Sequence, residues 1–534
     1  MRMYIARVPN RTSPPAILLR ESYREDGKVK SRTLANLTSW PAERIEALDR
    51  ALHGDFDFAA LSEPSVGPVF GLLHVLKQVA DQIGISTALG SREIGKLGMF
   101  LVLARIAHQG SRLSAVRWAE GQAVAEVLGL ARFDEDDLYQ ALDDLAARQQ
   151  TIEQALYRNY LRRQKTPPRL FLYDVTSSYL EGEHNQLGAF GYNRDGKRGK
   201  LQIVIGLLTD EQGEPLAVRV FEGNSADPTT VAEQIRILQE QFQVTELVFV
   251  GDRGMVKSKG KQALHQAQLH YITALTDPQI RRLLGEGILQ LPLFSETICE
   301  VEHEQLRYVL RKNEAETERI QRRLADKLAK LDARIQARNQ KVREQPRSNP
   351  EAGLRQIEQW AARHKLQELI RLRLEADQIV LERQQQAIER HLELAGCYVI
   401  TTDVPGAAMG AQQVHESYMA LQRVERDFRA MKTGALEVRP IFVQKASRTR
   451  GHVFCCMLAL KLARELEQRL RTAFGTTGQN PYALTLPDAL AALSRLCLLN
   501  YTTSKSGEVV TKLPRPNETQ KQILQALNVS LPKM

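Results

Sequence analysis

The chain has 534 residues, room for several domains and a large core, and its 43% hydrophobic and 25% charged content is ordinary for a soluble protein. Lys and Arg number 73 against 63 Asp and Glu, a formal net charge of +10 that is compatible with a polyanionic partner. Five cysteines without C-x-x-C spacing, no apolar signal core at the N-terminus and no run of about 18 apolar residues argue against a disulfide framework, a zinc site, secretion and a membrane span. The expected location is the cytoplasm, with association to the nucleoid if DNA is the partner.

Residues 16–37 (AILLRESYREDGKVKSRTLANL) read as two strands around an Asp26-Gly27 turn, so 1–40 is expected to form an N-terminal β-hairpin. From 41 to 167 apolar residues recur at three and four, as in RIEALDRAL and MFLVLARIAH, predicting a mostly helical region that stops at KTPPR. Short β-rich runs follow: LFLYDVTS, KLQIVIGLL, LAVRVFEGN, ELVFVGDRG and HYITAL, with the amphipathic DPTTVAEQIRILQEQF between the third and fourth. Three strands, a helix and further strands is the order of an α/β, ribonuclease-H-like core, here 168–278. Residues 279–395 read as a large insertion, a small hairpin (ICEVEHEQ, LRYVLRKN) and then two long charged helices joined at REQPRSNP as a helical arm. GCYVITTDV returns to strand character and opens the second part of the core, 396–470; the C-terminal region, 471–534, offers no chemistry that can be named.

Asp174 and Asp252 each stand at the end of an apolar run, where a charge needs a purpose or a partner. Either alone has a structural explanation: Asp174 as a cap for the following TSS turn, Asp252 as a partner for Arg253. A third carboxylate lies in YMALQRVERDFRAMK, 418–432. At about 100° per residue, Tyr418, Glu425 and Lys432 form one stripe of a helix, with Gln422 and Arg429 between them and Leu421, Val424 and Phe428 facing a core. Taken alone this is a solvated face with a Glu425–Arg429 pair. Together, three carboxylates suffice to hold two hard divalent cations, which activate a water or a 3′-hydroxyl for in-line phosphoryl displacement without a side-chain nucleophile.

The motifs LYDVTS, FVGDRGM and Y-x6-E-x6-K, in this order, resemble the DDE transposases of bacterial insertion sequences, and more narrowly the insertion-sequence-1634-like branch with a Y-x2-R-x3-E-x6-K signature. The resemblance runs from the DVTS strand to HVFCCMLALKLA, includes the long segment between the second Asp and the Glu, and extends to GYNRDGKRGKLQIVIGLL and EGNSADPTT. It implies that Asp174, Asp252 and Glu425 are the catalytic, metal-binding triad for two Mg²⁺ or Mn²⁺ ions. Tyr418 and Lys432 would then contact the DNA backbone near the cleaved end. The signature's Arg falls on Leu421, a departure that leaves Arg423 or Arg429 as substitutes from neighbouring directions. The implied partners are double-stranded DNA (the element's terminal inverted repeats and the target) and a second copy of the chain, as a homodimer in the synaptic complex. The helical region before the core would bind the repeats; SREIGKLGMFLVLARIAHQGSRLSAVRWAEGQAV is compatible with helix-turn-helix packing, without a recognition helix being identifiable.

Arg194, Lys197, Arg198 and Lys200 cluster in the Gly-rich loop YNRDGKRGK and suit phosphate contacts as well as a solvated basic turn. His184, His452 and Trp360 read as structural residues. Two alternatives stand beside a transposase: a transposase-derived DNA-binding protein without catalysis, and a haloacid-dehalogenase-like phosphotransferase. The second shares DVT and VGD at strand ends but has Val256 where another acid is usual and no task for Tyr418, Glu425 and Lys432.

Overall fold

The computed structural model describes residues 2–10, 14–25, 27–53, 64–164, 167–197, 199–244, 247–253, 255–345, 348–432, 436–439, 441–475, 480, 483–502 and 509–532. The chain divides into two compact units.

The first unit combines 1–79, 116–132 and 466–534. Its N-terminal sheet has three antiparallel strands, Arg2–Val8, Ala16–Glu25 and Lys28–Asn36, one more than the hairpin expected from the sequence. The two predicted strands pair down to Glu25↔Lys28 as expected; Asp26 of their turn lies outside the described residues. A second small sheet joins Ser65–Val69 to Cys497–Thr502 and Val509–Lys512. Ser65–Val69 lies in the stretch read as helical, where a five-residue strand is too short to show a period of its own.

The second unit, 80–115 with 133–465, carries an eight-stranded sheet. Its strands are β1 (Leu170–Tyr179), β2 (Gln202–Asp210), β3 (Pro215–Glu222), β4 (Val248–Gly251), β5 (His270–Ala274), β6 (Cys299–His303), β7 (Leu306–Lys312) and β8 (Cys397–Thr402), in the spatial order 6-7-8-5-4-1-2-3. β1, β2 and β3 form an antiparallel meander, while β1, β4 and β5 run parallel. Helices Asp227–Arg236 and Ser258–Gln266 supply the crossovers that parallel neighbours need. The 3-2-1-4-5 half of this sheet holds the five strands read from the sequence as the first part of the core. Alternate residues of β1, Phe171, Tyr173 and Val175, enter one core with Val204, Leu208 and Phe249, which leaves Asp174 and Thr176 for the opposite face.

The hairpin β6–β7 extends the same sheet, because β7 pairs antiparallel with β8 from Arg307↔Thr402 to Lys312↔Cys397. Helix Glu314–Glu344 follows, burying Leu324, Leu328, Leu331 and Ile335. They pack with Ile357 and Ala361 of helix Pro350–Arg363. The second helix of the arm was expected to run on towards Leu394; instead it stops at Arg363, and Ile370–Glu375 and Gln378–Arg383 form a two-stranded hairpin. Its tight turn places Ala376 and Asp377 at φ 47° and 62°. Ile370, Leu372 and Leu374 repeat every second residue, a strand period that the charged surroundings disguise as helix.

Candidate active site

β1 is an interior strand, and its ten residues are buried except Asp174 and Tyr179, which are partly exposed. Its parallel pairing with β4 runs from Leu170↔Val248 to Tyr173↔Gly251. The next residue after each of these is a carboxylate: Asp174, still within β1, and Asp252, the first residue past the end of β4. In-register neighbours on parallel strands face the same side about 4.8 Å apart along the sheet. Asp174 does not end its strand, as the sequence had suggested: β2 continues to pair with β1 as far as Tyr179↔Gln202. What ends at Asp174 is the partnership with β4.

Glu425 comes from helix Leu421–Lys432, which packs on β1 through a face of Leu421, Val424, Phe428 and Met431. Full burial of each such side chain contributes about 1.5–3 kcal/mol, so the helix is anchored by this stripe and Glu425 is left exposed. Tyr418 belongs to a separate helix, Ala411–Met419, and the single helix expected over 418–432 is two segments meeting at Ala420. Even so, the Tyr418 hydroxyl donates to Asp252 Oδ1 at 3.0 Å, an oxygen that also accepts from the Arg253 N–H at 2.7 Å. Burial, followed by the Asp252 carboxylate, holds the Tyr418 phenol well above its usual range.

Burial pushes the Asp174 carboxyl up to about 7. The Val175 N–H, donating at 2.7 Å, works against this; the charges of Asp252 and Glu425 add to it, and the Arg194 guanidinium opposes it. The charges of the other two carboxylates thus reach Asp174.

Lys432 is placed differently from the solvent-facing stripe. Its ammonium donates to Thr176 Oγ1 at 2.5 Å and to Asp195 Oδ1 at 2.8 Å, and only 10% of its side chain is exposed. Asp195, 3% exposed, also receives Arg439 Nη1 at 2.7 Å and the Tyr179 N–H at 3.2 Å. Burial draws the Lys432 ammonium down, and the Asp195 carboxylate holds it up. Lys432 thus bridges β1, two residues beyond Asp174, to the loop that follows it. Asp195 and Arg439 were not singled out from the sequence; the one visible signal was an acid inside an otherwise basic loop.

Of the loop cations, Arg194 lies over the Tyr192 ring at 5.4 Å and is the one whose charge reaches Asp174. Lys197 sits 5.8 Å from the Tyr179 ring, Lys200 pairs with Glu181 at 2.5 Å, and Arg198 lies outside the described residues. Leu421, where the signature has Arg, is buried. Arg423 donates to the Glu211 carbonyl in the β2–β3 connection, and Arg429 is exposed. His452 is a core residue held between Arg112 and the Val438 carbonyl, and Trp360 stacks on His364 within the arm. Helix Glu93–Ala107 is buried almost all round from Gly95 to Ile106, which makes it a core helix unable to lie in a DNA groove.

Among the described residues no three His, Cys, Asp or Glu side chains converge closely enough to form a ready-made metal site. The fit to a divalent cation rests instead on donor chemistry and charge: oxygen-only ligands, with the charges of Asp252 and Glu425 reaching Asp174. No described helix is long and apolar enough to cross a membrane.

Residues 165–461, more than half of the chain, match the transposase DDE domain, and residues 5–63 match the N-terminal domain of IS1634 family transposases. No curated protein matches the sequence. Among solved structures, the piggyBac transposase synaptic complex with hairpin DNA is 9% identical over 86% of this chain and 76% of that one, with a TM-score of 0.37. The Mos1 transposase paired-end complex with the left transposon end is 13% identical over 44% and 68%, and a pre-cleavage Mos1 transpososome 10% identical over 44% and 70%, both with a TM-score of 0.15. These likenesses are too distant to carry an argument; the domain matches carry it, and membership implies divalent-metal dependence in general terms. The chain belongs to the transposases with a DDE domain, and its N-terminal segment is similar to that of the IS1634 family.

Proposed function

We propose that this transposase binds the terminal repeats of its insertion sequence, cuts the DNA there and joins the 3′ ends to target DNA, using Asp174, Asp252 and Glu425 as ligands for two Mg²⁺ or Mn²⁺ ions. The observation that supports the reading is the register Tyr173↔Gly251, after which each segment continues into a carboxylate, together with the charges of Asp252 and Glu425 that reach Asp174. When bound, the cations supply Lewis-acid activation of the attacking and leaving oxygens. In cutting, a water oxygen attacks phosphorus and gives up a proton as the bond to the 3′-oxygen breaks, leaving a 3′-hydroxyl; in joining, the oxygen of that hydroxyl attacks a target phosphorus and loses its proton as the bond from that phosphorus to the target's own 3′-oxygen breaks, freeing a target 3′-hydroxyl.

The chain's own groups set the geometry. Tyr418 and the Arg253 N–H both donate to Asp252 Oδ1 and so aim that carboxylate. Lys432 ties Thr176 and Asp195 together and so fixes the helix carrying Glu425 on β1. In this reading the helical region 41–167 contacts the repeats, 279–395 is the inserted segment, and two copies pair the two ends. Arg194, Lys197 and Arg198 suit DNA phosphates near the cut; Lys200, Arg423 and Arg429 are more peripheral candidates.

The test is cleavage of a labelled fragment of the element's end, with Mg²⁺ and with chelator, by wild type and Glu425→Gln. Metal-dependent cutting that Glu425→Gln abolishes, with end binding retained, is expected. End binding without any cutting by wild type would leave a DNA-binding protein without catalysis and sink the catalytic reading.

A further inference from the structure

A cavity of about 590 Å³ opens beside the second carboxylate, between the ends of β4 and β5 and the β6–β7 hairpin. Arg253, Lys257, Lys261 and Arg282 line it, with Thr273, Thr276 and the apolar surface of Leu306 and Tyr308; no Asp or Glu lines it among the described residues. Its link to the catalytic strand end is direct: Arg253 follows Asp252 in the chain, and Thr273 Oγ1 donates to the Asp252 carbonyl at 3.3 Å.

The charges are unequal. Arg282 is 75% exposed and already paired with Glu286 at 3.4 Å. Arg253, Lys257 and Lys261 form no ion pair with a carboxylate among the described residues. Lys261 is partly buried, 4.6 Å from the centre of the Tyr271 ring, and burial draws its ammonium below the usual range, with Asp403 only partly opposing this. A partly buried cation with no carboxylate within ion-pair distance among the described residues, in a cavity lined by further cations, is arranged for an anion from outside. A duplex about 20 Å wide cannot enter a recess of this size, but a backbone phosphate with its sugar can, the sugar lying on the apolar surface.

Resting on the transposase reading above, we infer that this cavity is a phosphate-binding subsite for one backbone unit of the DNA strand running past Asp252, held by Lys261 and Arg253. It extends the strand's path away from the carboxylates towards the β6–β7 hairpin. The sequence reading had assigned phosphate contacts to the loop after β1 and to the 418–432 stretch, and none to this side.

The experiment is end-fragment binding by the full chain in chelator across a salt series, for wild type, Lys261→Gln, Arg253→Gln, Lys261→Arg and the exposed arm variant Arg355→Gln. Each lost phosphate contact should lower the slope of log K against log salt by about 0.9 and weaken binding to specific and unrelated DNA alike. That drop is expected for Lys261→Gln and Arg253→Gln, with Lys261→Arg and Arg355→Gln near wild type. Unchanged slopes with unchanged melting would overturn the subsite while leaving the transposase reading intact; no binding by wild type would strike the reading itself. If 10-fold excess inorganic phosphate raises the melting temperature of wild type but not of Lys261→Gln while the slopes stay equal, the cavity is a small-anion site and the DNA assignment is wrong.

Discussion

Lys432 and Asp195 stand 2.8 Å apart with 10% and 3% of their side chains exposed, so a lysine that sequence places on a DNA-facing stripe is an internal strut. The pair joins the Glu425 helix to the loop after β1, and Arg439 completes it at 2.7 Å. Its stability rests on charge balance, since burying one carboxylate against two cations is tolerable only while all three remain.

Removing Asp195 leaves two partly buried cations facing each other. Asp195→Ala is expected to cost about 3 kcal/mol of unfolding free energy, the scale for breaking a buried pair. In a double-mutant cycle by urea denaturation, Lys432→Met should recover part of that loss. Additive effects of the two substitutions would show that they do not interact.

Asp174 is expected to lower the stability of the metal-free protein. Its folded pKa of about 7 lies above its usual 3.8, so the folded state holds the proton more tightly, and stability falls as pH rises between those values. Asp174→Asn should therefore stabilise the chelated protein by a few kcal/mol at pH 8, with the gain vanishing below about pH 4. Melting measured against pH decides this, and equal gains at pH 8 and pH 4 would refute it.

Tyr418→Phe removes the donor to Asp252 while keeping the ring. A hydrogen bond to a charged group contributes about 1.5–3 kcal/mol, so cleavage at saturating DNA should fall by roughly tenfold to a hundredfold. End affinity should change by less than about threefold, because the hydroxyl is engaged by the carboxylate at 3.0 Å. A large loss of affinity with an unchanged rate would reassign Tyr418 to DNA.

Leu421→Arg, which restores the residue of the family signature, should harm this protein. Leu421 is buried in the face that seats the helix on β1, and a guanidinium there has no partner. A loss of about 2–4 kcal/mol is expected, with reduced cutting at temperatures near the melting point. Increased activity at unchanged stability would mean the position opens to the DNA.

The sequence by itself showed a mixed α/β chain with buried strands and pointed to the carboxylates that stand at the ends of its apolar runs. Buried strands such as LFLY, followed directly by Asp174, and LVFVG, followed by Asp252, announce themselves through local apolar runs, and the spacing of Tyr418, Glu425 and Lys432 is visible as text. It also showed the apolar face of the Glu425 helix, since 421, 424 and 428 follow a helical period. The hairpin at 370–383 was legible in principle but hidden by charged neighbours. Only the tertiary structure decided where each polar side chain points. That Asp174 lies mid-strand depends on β2 outlasting β4; that Lys432 is buried depends on Asp195, 237 positions away, arriving from another loop. The cations of the cavity beside Asp252 come from 253–282 and gather against the β6–β7 hairpin only because β7 pairs with β8. Such pairings are set by register and long-range packing, which local periodicity does not encode.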